Sequence, residues 1–555
     1  MNFSSKALSQ TVVQLCLAKG IDHIVLSPGS RNAPLTIGFT EHPNSHNFSI
    51  VDERSAAFFA LGMAQQLKKP VAVVCTSGSA LLNYFPAVAE AFYSDIPLVV
   101  LSADRPPELL EIGDGQTIQQ ENVYGKHILY SANCKEGDEH QTENEIKINA
   151  ALNTAFEMQG PVHINVPFSE PLYEKVSEAS VVPQNVPPRT PNFKIPEDWS
   201  PFLRKWNSSP KKFVLVGTLQ PNALEKKWLD LLANDPSVLV LTETTSNLHH
   251  ENFIPAIDQL ISSLDYGGKK RLQPEILLTF GGMVVSKRIK KLLRTFSPKE
   301  HWHVDRKKAY DTYFSLTQHF KITIQEFCKV FLSKTTEVES DYQTYWLQQK
   351  AARLRQHGTF LQNMPFSDFS VFEKILEAIP NRWQVQLANS ATVRYAQLFN
   401  MKPDWEIYCN RGTSGIDGST STAVGAAFAS PKPTVLLTGD LSFLYDSNAL
   451  WNANIPKTFR VIVINNSGGG IFRILPKAKS AQHFERYFET QHSLTAEHLA
   501  KMYGFHYTTA SDKKSLVEAL HDFFSIESES PAILEVFTPN TVNDDVLQQY
   551  FNHLD

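Results

Sequence analysis

Two side chains that follow apolar runs carry the clearest chemistry in the chain. Asp440 closes the string Thr438-Gly439-Asp440, after the run 434–437, and is followed by Leu441 and Ser442. Asn466 follows the run 459–464 and leads into Ser467-Gly468-Gly469-Gly470. The two stand 26 residues apart, the length of one strand–helix–strand turn, and the spacing predicts a helix over 446–452 that Pro456 closes. A carboxylate and an amide at the ends of neighbouring parallel strands are hard oxygen donors. They suit Mg²⁺ (or Mn²⁺), whose octahedral shell phosphate oxygens and water would complete. Adjacent glycines let the backbone come close enough for a carbonyl to join that shell. A helix start supplies N–H groups for a diphosphate. Either string alone reads as an ordinary strand-end turn; the pair at this spacing is what points to a metal–diphosphate site.

Elements must hold these groups in place. Short apolar runs at 24–26, 71–74 and 97–101 each end in Gly, Ser, Pro or a charge, and helical stretches (55–67, 81–92) lie between them. Further runs fall at 212–217, 238–241, 276–279 and 302–304, and again at 383–387, 405–408, 434–437, 459–464 and 532–537. Continuous apolar runs separated by helices indicate parallel sheets covered on both faces, with ligands at the carboxyl ends of the strands. The prediction is an α/β protein of three doubly wound parallel-sheet domains, 1–185, 186–355 and 356–555. The first border falls in a proline-rich linker, 183–201, and the second in a charged helical connection, 338–358.

Composition removes several other classes. With 555 residues, 42% apolar and 20% charged, the chain has the ordinary globular mix and enough length for several cores. A formal charge of −5 argues against a non-specific nucleic-acid binder. Five scattered cysteines without a CxxC argue against a disulfide framework or zinc site, and fit reduced thiols in a cytoplasmic protein. No apolar run reaches the roughly 18 residues of a membrane span, and residues 1–20 read as an amphipathic helix, not a signal peptide. His249-His250-Glu251 and His301-x-His303 lack HExxH spacing and a third ligand, so they read as surface or core histidines. No GxGxxG or Walker A string is present.

Gly-Asp followed after some 25 residues by Asn-Asn resembles the motif of thiamin-diphosphate enzymes. Such a site also needs a carboxylic acid against the cofactor's aminopyrimidine ring, in a water-poor place that raises its pKa. Glu53, in Val51-Asp52-Glu53-Arg54-Ser55 after a short strand at 48–51, is the candidate; by itself it would read as an acid favoured by a helix N-terminus. The chain also carries, in order, Ser27-Pro28-Gly29-Ser30-Arg31, Asp52-Glu53-Arg54, Thr76-Ser77-Gly78-Ser79 and Ala103-Asp104-Arg105-Pro106-Pro107-Glu108-Leu109. Asn410-Arg411-Gly412-Thr413-Ser414-Gly415-Ile416-Asp417-Gly418, Gly439-Asp440-Leu441-Ser442 and Asn465-Asn466 follow. Together they resemble the 2-succinyl-5-enolpyruvyl-6-hydroxy-3-cyclohexene-1-carboxylate synthase family of menaquinone biosynthesis, from about residue 20 to past 475.

That resemblance implies decarboxylation of 2-oxoglutarate on thiamin diphosphate and 1,4-addition of the succinyl unit to isochorismate. It implies that Glu53 faces the aminopyrimidine and that Asp440, Asn466 and the Gly468 carbonyl hold the metal. Ile416 would lie under the thiazolium, with Ser414, Gly439, Leu441 and Ser442 along the cofactor. Arg394, Ser390 and Arg411 are assigned to the succinyl side. Arg31, Arg105, Lys287 and Arg288, with Ser30 and Gln116, are assigned to isochorismate. Both substrates are dianions, which suits a pocket of arginines. Gly115 departs from the Asn of some family members and removes a side-chain donor. The resemblance further implies a homodimer or homotetramer with the cofactor at the subunit interface. Two alternatives share the core motif: another thiamin-diphosphate-dependent 2-oxo-acid decarboxylase or carboligase, and an inactive scaffold.

Overall fold

A computed structural model describes residues 2–190, 196–474, 478–525 and 527–554. It contains three six-stranded sheets, every neighbouring pair of strands parallel, and a small antiparallel pair, Phe3–Ser4 with Lys175–Val176. Central strands such as Val71–Cys75 and Lys212–Val216 are buried along their whole length, as expected of strands covered by helices on both faces. Numbered within each sheet in chain order, the first and third sheets share the strand order 2-1-3-4-6-5, and the middle sheet runs 3-2-1-4-5-6. Of the expected linker at 183–201, residues 191–195 lie outside the described residues; residues 183–190 have neither helix nor strand. Among the described residues no helix is long and apolar enough to cross a membrane, and all five cysteines are buried and free.

We propose a division of the chain near 185 and 355, since each interval holds one six-stranded sheet. The 22-residue helix Tyr342–Asn363 straddles the second border: Trp346 packs into the middle unit's core and Phe360 against the third unit's.

Besides the antiparallel pair Phe3–Ser4 and Lys175–Val176, five strands of the six-stranded sheets escaped the sequence. Four are edges: Tyr130–Asn133, Phe253–Ile254, Leu316–Phe320 and His506–Ala510. Three of these are part-exposed and polar, and Phe253–Ile254 is only two residues long, so none forms a continuous apolar run. The fifth, Val162–Pro167, is buried but carries His163 and Asn165, both hydrogen-bonded to Ser102 Oγ (2.7 and 2.8 Å). Two helices also differ from expectation. The stretch 81–92 is two helices, Ser79–Asn83 and Phe85–Ser94, with Pro86 in the first turn of the second. The helix expected over 446–452 instead begins at the metal-ligand candidate itself, as Asp440–Tyr445, followed by a 3₁₀ turn at Ser447–Leu450. Asp446 lies between them because its buried carboxylate accepts from Ser421 N (2.7 Å) and Ser421 Oγ (2.8 Å).

The first and third units share one core, which runs from Phe58 and Val73 to Val424, Leu436 and Val461. At its centre helices Glu53–Leu67 and Ser419–Ala429 touch backbone to backbone. A Cβ on Gly62 would lie 2.1 Å from Thr422 O, and one on Gly425 would lie 2.0 Å from Phe59 O.

Candidate functional site

Strands Thr434–Gly439 and Arg460–Asn465 are hydrogen-bonded neighbours, with Gly439 opposite Ile464, so Asp440 and Asn466 emerge side by side at their carboxyl ends. Asp440 is 3% exposed. Its Oδ1 accepts from Leu441 N (2.7 Å) and its Oδ2 from Gly468 N (2.8 Å), with His492 Nε2 at 3.3 Å. Burial pushes its pKa up to about 6, and the two N–H donors oppose that rise. Asn466 donates from Nδ2 to Asp368 Oδ2 (2.9 Å), and its buried Oδ1 has no hydrogen-bond partner. An orphaned buried carbonyl costs about 1–3 kcal/mol, and beside a buried carboxylate it is an arrangement that a cation would satisfy. The donor set fits the metal expected from the sequence. The Gly468 carbonyl accepts from Gly470 N (3.0 Å). Gly468 itself has φ +149°, and a Cβ there would lie 2.6 Å from Glu489 O. Among the described residues no cluster of three or more His, Cys, Asp or Glu could hold a metal, and His301 and His303 instead share Thr279 Oγ1.

The segment 410–418 lies against this half-site. Ser442 Oγ donates to Ile416 O (2.7 Å), which fixes the height of the Ile416 side chain, a large apolar group left 38% exposed. Ser414 sits at φ +62° and donates from Oγ to Arg411 O (3.3 Å). Asn389 holds the segment from one side, donating to Asn410 O and Gly415 O, both at 2.7 Å. Its Oδ1 receives Arg411 Nη1 at 2.6 Å.

Cations gather in two groups. In one, Arg394 donates to Ser390 O and faces Arg411; burial and that neighbour lower its pKa, and Asp258 opposes them. Asp258 also faces Arg288, whose guanidinium stacks 4.3 Å from the Phe551 ring centroid, and it accepts from Ser286 Oγ at the start of helix Lys287–Thr295. Glu243 accepts from Val285 N (2.7 Å) and Ser286 N (2.8 Å) at the same helix start and faces Arg411. Lys290, absent from the sequence expectation, is drawn toward Glu243 on the next turn of that helix. Within one chain, then, Arg288 stands on the Arg394 side, and Lys287 beside it is exposed.

The second group lies in the first unit. Arg31 is 4% exposed, donates to Phe168 O (2.7 Å) and pairs with Glu170 (3.2 Å). Arg105 follows strand Leu98–Asp104 and donates to Gly115 O (3.0 Å). The residue without a side chain thus serves through its carbonyl, and nothing lies within 4 Å of where its Cβ would be. Ser30 and Gln116 are exposed on the same edge.

Glu53 is the first residue of helix Glu53–Leu67, behind the N-cap Asp52. It is half-buried, with Asn83 Nδ2 at 3.3 Å. Its neighbours contact the far end of helix Asp440–Tyr445: Arg54 donates to Tyr445 O (2.7 Å) and Asn448 donates to Asp52 Oδ2 (2.7 Å). The water-poor surround expected for this carboxyl is not supplied by the described residues of a single chain.

Comparison with known proteins decides the family. Residues 6–127 match the thiamine pyrophosphate enzyme N-terminal TPP-binding domain, 195–387 the middle domain, and 389–536 the C-terminal TPP-binding domain. A 2-succinyl-5-enolpyruvyl-6-hydroxy-3-cyclohexene-1-carboxylate synthase of Flavobacterium psychrophilum is 55% identical over 99% of this chain and 98% of its own. Proteins of the same name from Flavobacterium johnsoniae and Christiangramia forsetii are 54% and 52% identical, with both chains covered completely. The chain belongs to this synthase family. Its first and third units are thiamin-diphosphate-binding domains, and the enzyme class is that of a C–C bond-forming synthase. The sequence reading missed the groups that hold or face the candidate residues: Asp368, Asn389, Glu243 and Asp258. Each is a lone polar residue near an element's end, and only tertiary contacts distinguish it from a helix cap or loop residue.

Proposed function

We propose that this chain decarboxylates 2-oxoglutarate and adds the succinyl unit to isochorismate by 1,4-addition, giving 2-succinyl-5-enolpyruvyl-6-hydroxy-3-cyclohexene-1-carboxylate and CO2. Thiamin diphosphate with Mg²⁺ (or Mn²⁺) is the cofactor pair. One observation carries the substrate assignment: Arg394, Arg411, Arg288 and Lys290 gather around Glu243 and Asp258, behind the loop that leads to Ile416 and the metal ligands. Four cations against two carboxylates leave an excess of positive charge that suits anionic ligands, and 2-oxoglutarate and isochorismate are both dianions.

Asp440, Asn466 Oδ1 and the Gly468 carbonyl would hold the metal, and the N–H of Ser442 in the first helical turn would face the diphosphate, the Leu441 N–H being held by Asp440 Oδ1. When bound, thiamin diphosphate would supply, in its thiazolium ring, an electron sink for the bonding pair that stays behind when CO2 leaves. Glu53 holds a proton against the aminopyrimidine ring, Ile416 props the thiazolium, and Ser414 and Gly439 line the cofactor's path. Ser390, Arg394 and Arg411 orient the carboxylates of 2-oxoglutarate. Ser30, Arg31, Arg105 and Gln116 orient isochorismate, while Arg288, which shares Asp258 with Arg394, joins the 2-oxoglutarate side, with Lys287 exposed beside it. We place the cofactor between two subunits of a homodimer or homotetramer. The half-buried state of Glu53 supports this, because the water-poor surround its role needs is not supplied by the described residues of one chain. Five buried free thiols support a cytoplasmic location.

The test is to incubate the protein with thiamin diphosphate, Mg²⁺ and isochorismate, adding 2-oxoglutarate, pyruvate or neither, and to follow the isochorismate chromophore and CO2 release. Loss of the chromophore only when 2-oxoglutarate is present supports the proposal. Decarboxylation of pyruvate without isochorismate consumption would instead identify another 2-oxo-acid decarboxylase.

A further inference from the structure

Glu90 lies in helix Phe85–Ser94 of the first unit, is 1% exposed, and forms no ion pair among the described residues. Its carboxylate crosses to the third unit. Oε1 accepts from Gly412 N (2.8 Å) and Oε2 accepts from Thr413 N (2.6 Å) and Thr413 Oγ1 (2.8 Å); only Ser94 Oγ (2.6 Å), also on Oε1, comes from its own helix. A Cβ on Gly412 would lie 2.7 Å from Glu90 O and 3.0 Å from Glu90 Oε1, so the segment is pressed against the helix as well as bonded to it. The two residues bound are those immediately after Arg411, whose guanidinium is held from the opposite side by Asn389. Hydrogen bonds to an ionised acceptor are about twice as strong as neutral ones, and a buried carboxylate left without them is heavily penalised.

We propose that Glu90 is a positioning residue: it fixes the backbone at 412–413 so that Arg411 is presented to the substrate carboxylate at a set angle, linking the first unit to the substrate loop of the third. The role of Arg411 in this statement rests on the function proposed above; the fixing of the loop does not. Isosteric Glu90→Gln tests it. An amide has one oxygen, so its NH2 must face either Gly412 N or Thr413 N, and one backbone donor loses its acceptor.

The experiment pairs two readouts on the full-length variant with thiamin diphosphate and Mg²⁺. Amide hydrogen exchange of a peptide spanning 409–418 should speed by about tenfold or more, with exchange elsewhere and the thermal midpoint near wild type. In kinetics, KM for 2-oxoglutarate should rise about tenfold while KM for isochorismate stays within about twofold. Thr413→Ala, which removes only the hydroxyl bond, should have a much smaller effect on both. Unchanged exchange at 409–418 overturns the proposal, as does a uniform loss of protection with a fall in thermal midpoint, which is what a merely structural residue gives. Faster local exchange with an unchanged KM for 2-oxoglutarate also overturns it. If the wild type fails to consume 2-oxoglutarate at all, the assigned function falls, whereas the exchange result still judges the contact.

Discussion

Glu53 occupies the first position of its helix, where the macrodipole favours an acid whatever its task. What separates a catalytic acid from a helix-start acid is whether a proton must be held there. Glu53→Gln keeps the shape and removes the proton-holding group, so turnover should fall by on the order of 10² or more with little change in thermal midpoint. Wild-type turnover would return Glu53 to the structural class. Arg394 is tested by substrate: Arg394→Ala should raise KM for 2-oxoglutarate more than KM for isochorismate, and equal effects would undo the partition of the pocket. Glu243 makes a pH statement. Burial pushes its pKa up to about 7 from 4.5, against the pull of Val285 N, Ser286 N and Arg411, and Asp258 adds to the rise. The folded chain therefore keeps the proton longer than the unfolded one. The stabilisation from that proton is complete below the unfolded value and is lost as pH rises through about 7, an effect on the order of 3 kcal/mol. The thermal midpoint should fall between pH 5 and 8, and less steeply in Glu243→Gln; parallel profiles would exclude Glu243 as the source.

At the scale of elements, glycine separates the packed helices from the solvated ones. Gly62 faces the Thr422 carbonyl across the shared core, and a backbone carbonyl cannot swing aside. Gly62→Ala should destabilise by about 1–3 kcal/mol or more, read as a drop of several degrees in thermal midpoint. Gly358 lies in the interior of helix Tyr342–Asn363 with nothing within 4 Å of its Cβ position. Gly358→Ala should therefore stabilise by roughly 0.5–1 kcal/mol, as replacing a helical glycine by alanine does. Equal signs for the two variants would contradict the helix contact. Elements are legible where burial makes them uniform. Val71–Cys75, Lys212–Val216 and Thr434–Gly439 are central strands whose apolar runs announce them. Leu316–Phe320 and His506–Ala510 are edges, half in water, and their partial exposure leaves no run to read. Helix Asp440–Tyr445 begins earlier than the pattern implies, directly behind strand Thr434–Gly439 with Gly439 as its N-cap, so no side-chain cap announces its start.

For the molecule as a whole, the question is whether one chain makes one site. If Glu53 of one subunit serves the Asp440 of another, co-expressed Glu53→Gln and Asp440→Ala chains should recover about a quarter of wild-type activity. Half of randomly paired dimers are mixed, and each has one intact site of two. No recovery would put both residues of a site in the same chain. Local pattern along the chain is enough for the α/β class, the three sheets, and the pairing of Asp440 with Asn466. These follow from runs that must be buried and from loops at set distances after them. The folded chain alone reveals that Asp368 turns the Asn466 amide so that its oxygen is left free, that Glu90 and Asn389 grip the Arg411 loop from two sides, and that Arg288 shares Asp258 with Arg394. Such contacts join residues far apart in the chain. A polar side chain carries no periodicity that would reveal which distant donor it will meet.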